Sequence, residues 1–277
     1  MKPIYYYDGK LFSEEEAAIP FSDRSLFFGD AVYDACLIRS GIPYLLDAHL
    51  DRFYNGMRAL SIPSPMDREH LRATLSALSL RAGEETAFLY FQAARRAARR
   101  RHYFEEKDGA GLMICVYPFA KPQRDSVLRL ILAKDTRYEY CHIKTVNLLP
   151  AVLASARARA QGADEAVFVR DGRVTECAHS NISILKDGVL LTHPTDRHIL
   201  AGIARARLLD TCTALGIPVA ERPFGVRELL SADEILVTST SKIAARANEV
   251  AGRRVGMRNG TLAKRILDSL FDAYYNI

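Results

Sequence analysis

The chain has 277 residues, with 38 Lys and Arg against 33 Asp and Glu, a formal charge of +5, 49% apolar residues and 26% charged ones. At about 150 residues per domain this length favours two domains, and the composition is that of a globular protein, which excludes intrinsic disorder. No window approaches ~18 uninterrupted apolar residues, the start of the chain lacks a signal-peptide run, and so weak a charge does not by itself imply nucleic acid.

Five cysteines (Cys36, Cys115, Cys141, Cys177, Cys212) are scattered without a CxxC pair. That argues against a zinc site or disulfide framework and for a reducing, cytoplasmic setting. In chain order, Ile4–Tyr7 reads as a strand closed by the hairpin pair Asp8-Gly9. Asp47 reads as the N-cap of a helix whose apolar face is Leu50, Phe53, Tyr54, Met57 and Leu60, stopping before Pro63. A second helix is expected over residues 67–81, ending at Gly83, and strands over 86–93 and 111–117. The interruption Pro118-Phe-Ala-Lys-Pro122-Gln is expected to link a smaller N-terminal α+β domain, 1–120, to a larger C-terminal one, 121–277. Beyond it come a strand near 128–133, a helix over 151–161 and a hairpin of 166–170 and 173–176 about Asp171-Gly172. Strands over 182–185 and 189–191, a helix from Gly202 to Leu215 and a buried strand over 234–238 follow. Helices and strands mix without strict alternation, so α+β is favoured over a doubly wound sheet.

Four places carry chemistry. Lys144 sits among uncharged residues, where desolvation would free its amine for Schiff-base chemistry; a lysine there can equally snorkel to water. Glu176 ends a strand and is followed by small and polar residues; a carboxylate suits a pyridinium nitrogen, though a solvated glutamate is the plainer alternative. The helix after Gly202 offers the N–H groups of Ile203 and Ala204 to an anion, a property that nearly every helix start shares. Thr238-Ser-Thr-Ser241 is a hydroxyl-rich turn with the same ambiguity.

Together these segments carry more than each alone. Asp23-Arg-Ser-Leu-Phe-Phe-Gly-Asp-Ala-Val-Tyr33, His49-Leu-Asp-Arg52, Ile143-Lys-Thr-Val-Asn-Leu-Leu149, Thr175-Glu-Cys-Ala-His-Ser-Asn181, Gly202-Ile-Ala-Arg205 and Thr238-Ser-Thr240 occur in that order. In this the chain resembles the class IV, fold-type IV pyridoxal-phosphate aminotransferases, a family that includes the D-amino-acid, branched-chain and (R)-amine aminotransferases and aminodeoxychorismate lyase. The resemblance runs from Tyr6 to about Lys264. It implies a two-domain α+β fold with pyridoxal 5'-phosphate in a cleft between the domains. Lys144 would form the internal aldimine and then move the proton in the 1,3-shift, and Glu176 would pair with the pyridine nitrogen. Arg52, the backbone of Ile203 and Ala204, and Thr240 would hold the phosphate. Ala204 stands where relatives often carry a hydroxyl, which removes one side-chain contact.

Five arginines lie within residues 95–101. In a helix they would repel at i,i+4 spacing, so a loop facing an anion is the better reading, with solvated basic surface as the default. D-amino-acid aminotransferases carry an Arg-x-His motif in this loop, and Arg100-Arg-His102 falls on it. The resemblance then implies that Tyr33, Arg100 and His102 grip the substrate α-carboxylate, the last two reaching in from the partner of a homodimer. An arginine fork suits a carboxylate. The expected reaction is transamination between a D-amino acid of the D-alanine type and 2-oxoglutarate. A branched-chain L-aminotransferase is the alternative, as is aminodeoxychorismate lyase, which Asn147-Leu-Leu-Pro fits less well. A basic nucleic-acid-binding protein on a catalytic fold is disfavoured, since only Tyr103 and Phe104 adjoin the arginines. Cys177, beside Glu176, reads as a small packing residue.

Overall fold

Asp8 and Gly9 both take positive φ, 43° and 90°, as a two-residue hairpin turn requires, and they join the first two strands of the chain. The computed structural model describes residues 2–96, 98–105 and 108–277. The chain forms two units, and the first comprises Met1–Lys121 with Ile143–Asn147 and Ile277. Its elements are β1 Ile4–Tyr7, β2 Lys10–Phe12, α1 Arg24–Phe28, β3 Ala31–Arg39, β4 Ile42–Pro43, α2 Leu46–Ala59, α3 Arg68–Ala82, β5 Thr86–Arg95 and β6 Ala110–Pro118. The strands form an antiparallel sheet in the order β2-β1-β6-β5-β3-β4. Leu50, Phe53 and Met57 of α2 and Leu71, Leu75 and Leu78 of α3 share its core with Ile38, Leu89, Phe91 and Ile114 of the strands.

Asp67, expected as the first residue of the helix, is the N-cap of α3, accepting from the His70 N–H, and Gly83 ends the helix at φ 66°. The start of α2 differs from expectation. Leu45, in the left-handed region at φ 56°, is the N-cap and makes no side-chain cap bond. Asp47 lies in the first turn instead, where its charge complements the helix dipole.

The segment Ile143–Asn147 packs within the first unit although it follows the expected domain boundary. The reason is the short β4, which pairs only with Ile38 and Arg39 and leaves the other end of that edge of β3 open. There the Tyr33 N–H donates to Lys144 O at 2.9 Å, Thr145 bridges to Val32, and Asn147 Nδ2 donates to Gly29 O at 3.0 Å. Gly29, at φ 62°, is in the region that favours glycine, and an added Cβ would lie 2.3 Å from Asn147 Oδ1 and force that side chain to move.

The second unit comprises Pro122–His142 and Leu148–Asn276. Its elements are β7 Val127–Lys134, α4 Leu149–Ala160, β8 Glu165–Arg170, β9 Arg173–Cys177, β10 Asn181–Lys186, β11 Val189–Thr192 and α5 Ile203–Ala214. They continue with β12 Val219–Glu221, β13 Phe224–Gly225, α6 Val226–Leu230, β14 Glu234–Ser239, β15 Ile243–Val250, β16 Arg253–Arg254 and α7 Gly260–Tyr275. The sheet order is β12-β11-β10-β14-β15-β7-β8-β9-β13, with β16 on β15. It is mixed: β7 runs parallel to β8 and β15, and β11 to β12, while the other pairs are antiparallel. Helices α5 and α7 pack on each other and on β14 and β15. The fold is α+β. No helix among the described residues is long and apolar enough to cross a membrane.

Candidate active site

In the first unit the covering of the β3 edge carries Lys144 to Tyr33. Lys144 Nζ lies 3.3 Å from the Tyr33 hydroxyl and 4.3 Å from the centre of its ring. Tyr33 in turn stacks on Tyr90, with ring centres 5.4 Å apart. A half-buried amine beside an aromatic ring and a hydroxyl is available for carbonyl chemistry and for proton transfer.

The next residue of β3, Asp34, is fully enclosed and organises the second feature. Arg52 grips it as a fork, Nε to Oδ2 and Nη2 to Oδ1, each at 2.8 Å, and His49 Nδ1 lies 2.7 Å from Oδ1. Burial alone would push the Asp34 carboxyl up, but the charge and hydrogen bonds of Arg52, with those of His49, hold it well below the usual carboxylate range. An ionised carboxylate only accepts, so the proton of the His49 ring sits on Nδ1. Burial, with the charges of Arg52 and Lys144, lowers the His49 ring below its ordinary value against the pull of Asp34, which keeps that ring neutral. The cluster therefore holds one permanent cation, Arg52, in a fixed plane.

In the second unit Glu176 is the penultimate residue of β9 and is almost fully buried. Its Oε2 accepts from Asn181 Nδ2 at 3.0 Å and from the Leu200 N–H at 3.1 Å, and Arg137 pairs with its Oε1. Arg137 also forks onto Asp135 (Nε to Oδ1 3.0 Å, Nη2 to Oδ2 2.9 Å), donates to His198 O and lies over the Phe168 ring. Burial opposes the Arg137 charge, but the hydrogen bonds of Asp135 and the charge of Glu176 raise its guanidinium above the ordinary value. The Asp135 carboxyl, pushed up by burial, is brought below its usual value by Arg137. Cys177, next in sequence, is buried, and that burial pushes its thiol far up, as suits a packing residue.

Asn181 joins this carboxylate to a helix start. Its Nδ2 also donates to Leu200 O at 3.0 Å, just before α5. Gly202, the N-cap, makes no side-chain cap bond, and an added Cβ would lie 1.9 Å from Asn181 Oδ1. The backbone can approach Asn181 only because glycine stands there. Ile203 and Ala204 then present first-turn N–H groups, which have no partner inside a helix. Asn181 pairs with Thr238 across β10 and β14, so their side chains share a face of the sheet, and Thr238 Oγ1 is buried without a partner among the described residues. Thr240 follows, half-buried, in the turn after β14. One wall thus offers a carboxylate at one end and N–H and hydroxyl donors at the other. That donor set fits a molecule with a protonated ring nitrogen and a phosphate ester, as pyridoxal phosphate is.

The arginine run divides by role. Arg95 ends β5 at 1% exposure and is bound to Asp30, Ser61 O and Leu60 O. Arg96 pairs with Asp8, and Arg101 with Asp108 and Glu105. These three are structural, which corrects the expectation that the whole run faces an anion. Arg99 and Arg100 are exposed, while Ala97 lies outside the described residues. The Arg100 guanidinium sits 5.2 Å from the Phe28 ring centre, and the exposed His102 ring packs on the same Phe28 at 5.4 Å.

Sequence reasoning singled out Lys144, Glu176, Arg52, Ile203, Ala204 and Thr240 and passed over Asp34, Asp135, Arg137 and Asn181. Asp34 carried a signal, a lone acid in an apolar stretch. Arg137 carried none, since its partner Glu176 lies far along the chain.

Comparison with known proteins gives a consistent picture. The sequence profile of amino-transferase class IV matches residues 31–250. D-alanine aminotransferase of Bacillus licheniformis is 33% identical over 271 residues, covering 95% of this chain and 94% of that protein. The branched-chain aminotransferase of Thermoproteus uzoniensis, solved with norvaline, superposes with a TM-score of 0.87 at 26% identity, over 97% of this chain and 93% of that one. The T.th. branched-chain enzyme complexed with N-(5'-phosphopyridoxyl)-L-glutamate shares the fold, with a TM-score of 0.85 at 23% identity over 97% and 93% of the two chains.

Proposed function

The chain belongs to the class IV aminotransferases, and on that premise we propose that it moves the amino group of a D-amino acid of the D-alanine type onto 2-oxoglutarate, with pyridoxal 5'-phosphate as cofactor. The donor rests on one observation, the likeness to D-alanine aminotransferase along almost the whole chain. When bound, the cofactor supplies an aldehyde that exchanges with amines and a ring that takes up electrons from the substrate Cα.

The protein's own groups do the rest. The Lys144 amine would hold the cofactor through its aldehyde and, released when the substrate amine takes its place, would move the proton at the substrate Cα. The Tyr33 hydroxyl at 3.3 Å orients the amine. Glu176, ion-paired with Arg137, would hold the proton on the ring nitrogen. The Arg52 guanidinium, the N–H groups of Ile203 and Ala204, and the Thr240 hydroxyl bind the phosphate. Arg100 and His102, with Tyr33, bind the substrate carboxylate, the first two acting on the partner's site in a homodimer.

The test is an absorbance-monitored half-reaction of the cofactor-loaded protein with each of D-alanine, D-glutamate, L-leucine and L-glutamate, without keto acid. Bleaching by the D-donors alone is expected. Bleaching by L-leucine and L-glutamate instead assigns the branched-chain reaction. Lys144→Ala abolishes the half-reaction with D-alanine, and turnover near wild type in that variant would sink the assignment.

A further inference from the structure

The loop after β5 carries Arg100 and His102, and one residue of α1 fastens it. Arg24 is 3% exposed. Its Nε donates to Asp30 Oδ2 at 2.7 Å, and its Nη1 donates to Arg101 O at 2.8 Å and, more weakly, to Tyr103 O at 3.4 Å. Those are the carbonyls on either side of His102. The same guanidinium lies 4.8 Å from the centre of the Phe28 ring, which also meets Arg100 and His102. Asp30 is anchored from the sheet as well, accepting from Arg95 Nε at 3.1 Å.

A buried guanidinium is costly unless its donors are used. Here they are used on a carboxylate of its own segment and on the backbone of a loop remote in sequence. The geometry points to Arg24 as a positioning residue for substrate recognition. By pinning the carbonyls that flank His102, and by sitting on the ring that Arg100 and His102 share, it sets the arrangement in which those two residues meet a carboxylate. This rests on the carboxylate reading of Arg100 and His102 given above. A lysine cannot replace it, because one ammonium lacks the planar fork that spans a carboxylate and two carbonyls.

The experiment compares the cofactor-loaded wild type with Arg24→Lys, Arg24→Gln and Arg100→Ala. Two quantities are read: the rate of tryptic cleavage after Arg101, mapped by mass, and KM and kcat for D-alanine. The Arg101 carbonyl must leave Arg24 before a protease can attack it, so cleavage there accelerates in both Arg24 variants, while cleavage outside position 24 and this loop keeps its wild-type rate. KM rises on the order of tenfold, the loss expected for charge-assisted hydrogen bonds, with kcat changed by no more than about twofold. If Arg24→Gln fails to fold, Arg24→Lys, which retains the charge beside Asp30, still carries the test. Wild-type cleavage after Arg101 in Arg24→Lys overturns the inference, as does faster cleavage with an unmoved KM. An unmoved KM in Arg100→Ala sinks the carboxylate reading and the positioning role with it. A raised KM in Arg100→Ala beside an unmoved one in Arg24→Lys overturns the positioning role alone.

Discussion

In the first unit one carboxylate, Asp34, serves an arginine and a histidine; in the second, one arginine, Arg137, serves two carboxylates, Asp135 and Glu176. Both clusters obey the same rule, that a buried charge persists only when a partner of opposite sign is fixed beside it. They differ in the sign of the group they orient. Asp34 is enclosed and steadies a cation, Arg52, whereas Arg137 steadies an anion, Glu176. A phosphate and a protonated ring nitrogen ask for those two signs. The clusters differ also in redundancy. Arg137 is braced by a carbonyl and an aromatic ring as well as by Asp135, while a single carboxylate, Asp34, takes both Arg52 and His49.

That contrast can be broken at several points. The largest effect is expected from Asp34→Asn, which replaces the carboxylate under the Arg52 fork with a neutral amide. Removing one partner of a buried ion pair costs about 3–5 kcal/mol, to be read from urea unfolding. A loss below about 1 kcal/mol would show that Arg52 does not depend on it.

Acid should act next. Asp34 and Asp135 both sit below their ordinary carboxyl values in the fold, so as pH falls the unfolded chain binds protons first. The stability they contribute is complete above about pH 5 and is lost as pH falls through about 4 toward the depressed folded values. Urea midpoints measured from neutral pH down to about 3 should fall steeply in the wild type and less so in Asp34→Asn; parallel curves would contradict the assignment.

Gly202→Ala tests the second cluster through its link to α5. The new Cβ would meet Asn181 Oδ1 at 1.9 Å, so Asn181 must leave Glu176 or the backbone must shift. A loss of about 1–3 kcal/mol is expected, with weaker pyridoxal phosphate binding by equilibrium dialysis. Thr175→Val is the mildest. It removes the hydroxyl that donates to Asp135 Oδ2 at 3.1 Å and should cost about 1 kcal/mol in the same unfolding assay. A cost as large as that of Asp34→Asn would mean that the second cluster has no redundancy after all.

Local signals carried much of the fold. The pairs Asp8-Gly9 and Asp171-Gly172, the helix start at Asp67 and the stop Gly83 each stand within a residue of where sequence reasoning puts them. β3 is not legible in the sequence pattern, because it is buried on both faces and shows no polar alternation. α7 is absent from the expected elements, although Ala263, Ile266, Leu267, Leu270 and Phe271 recur at helical spacing behind the cap Asn259.

Residue types and their near neighbours are enough to specify turns, caps, amphipathic helices and the set of groups able to do this chemistry, because those depend on forces acting within a few residues. What each arginine does is decided elsewhere. Arg95 and Arg100 are indistinguishable within their run, yet one is a buried strut on Asp30 and the other an exposed cation beside Phe28. Arg137 and Glu176 meet only because β7 and β8 run parallel and β9 folds back on β8. Burial and pairing of charge depend on which chain segments the fold brings within about 4 Å, and that distance is not written in any local stretch of residues.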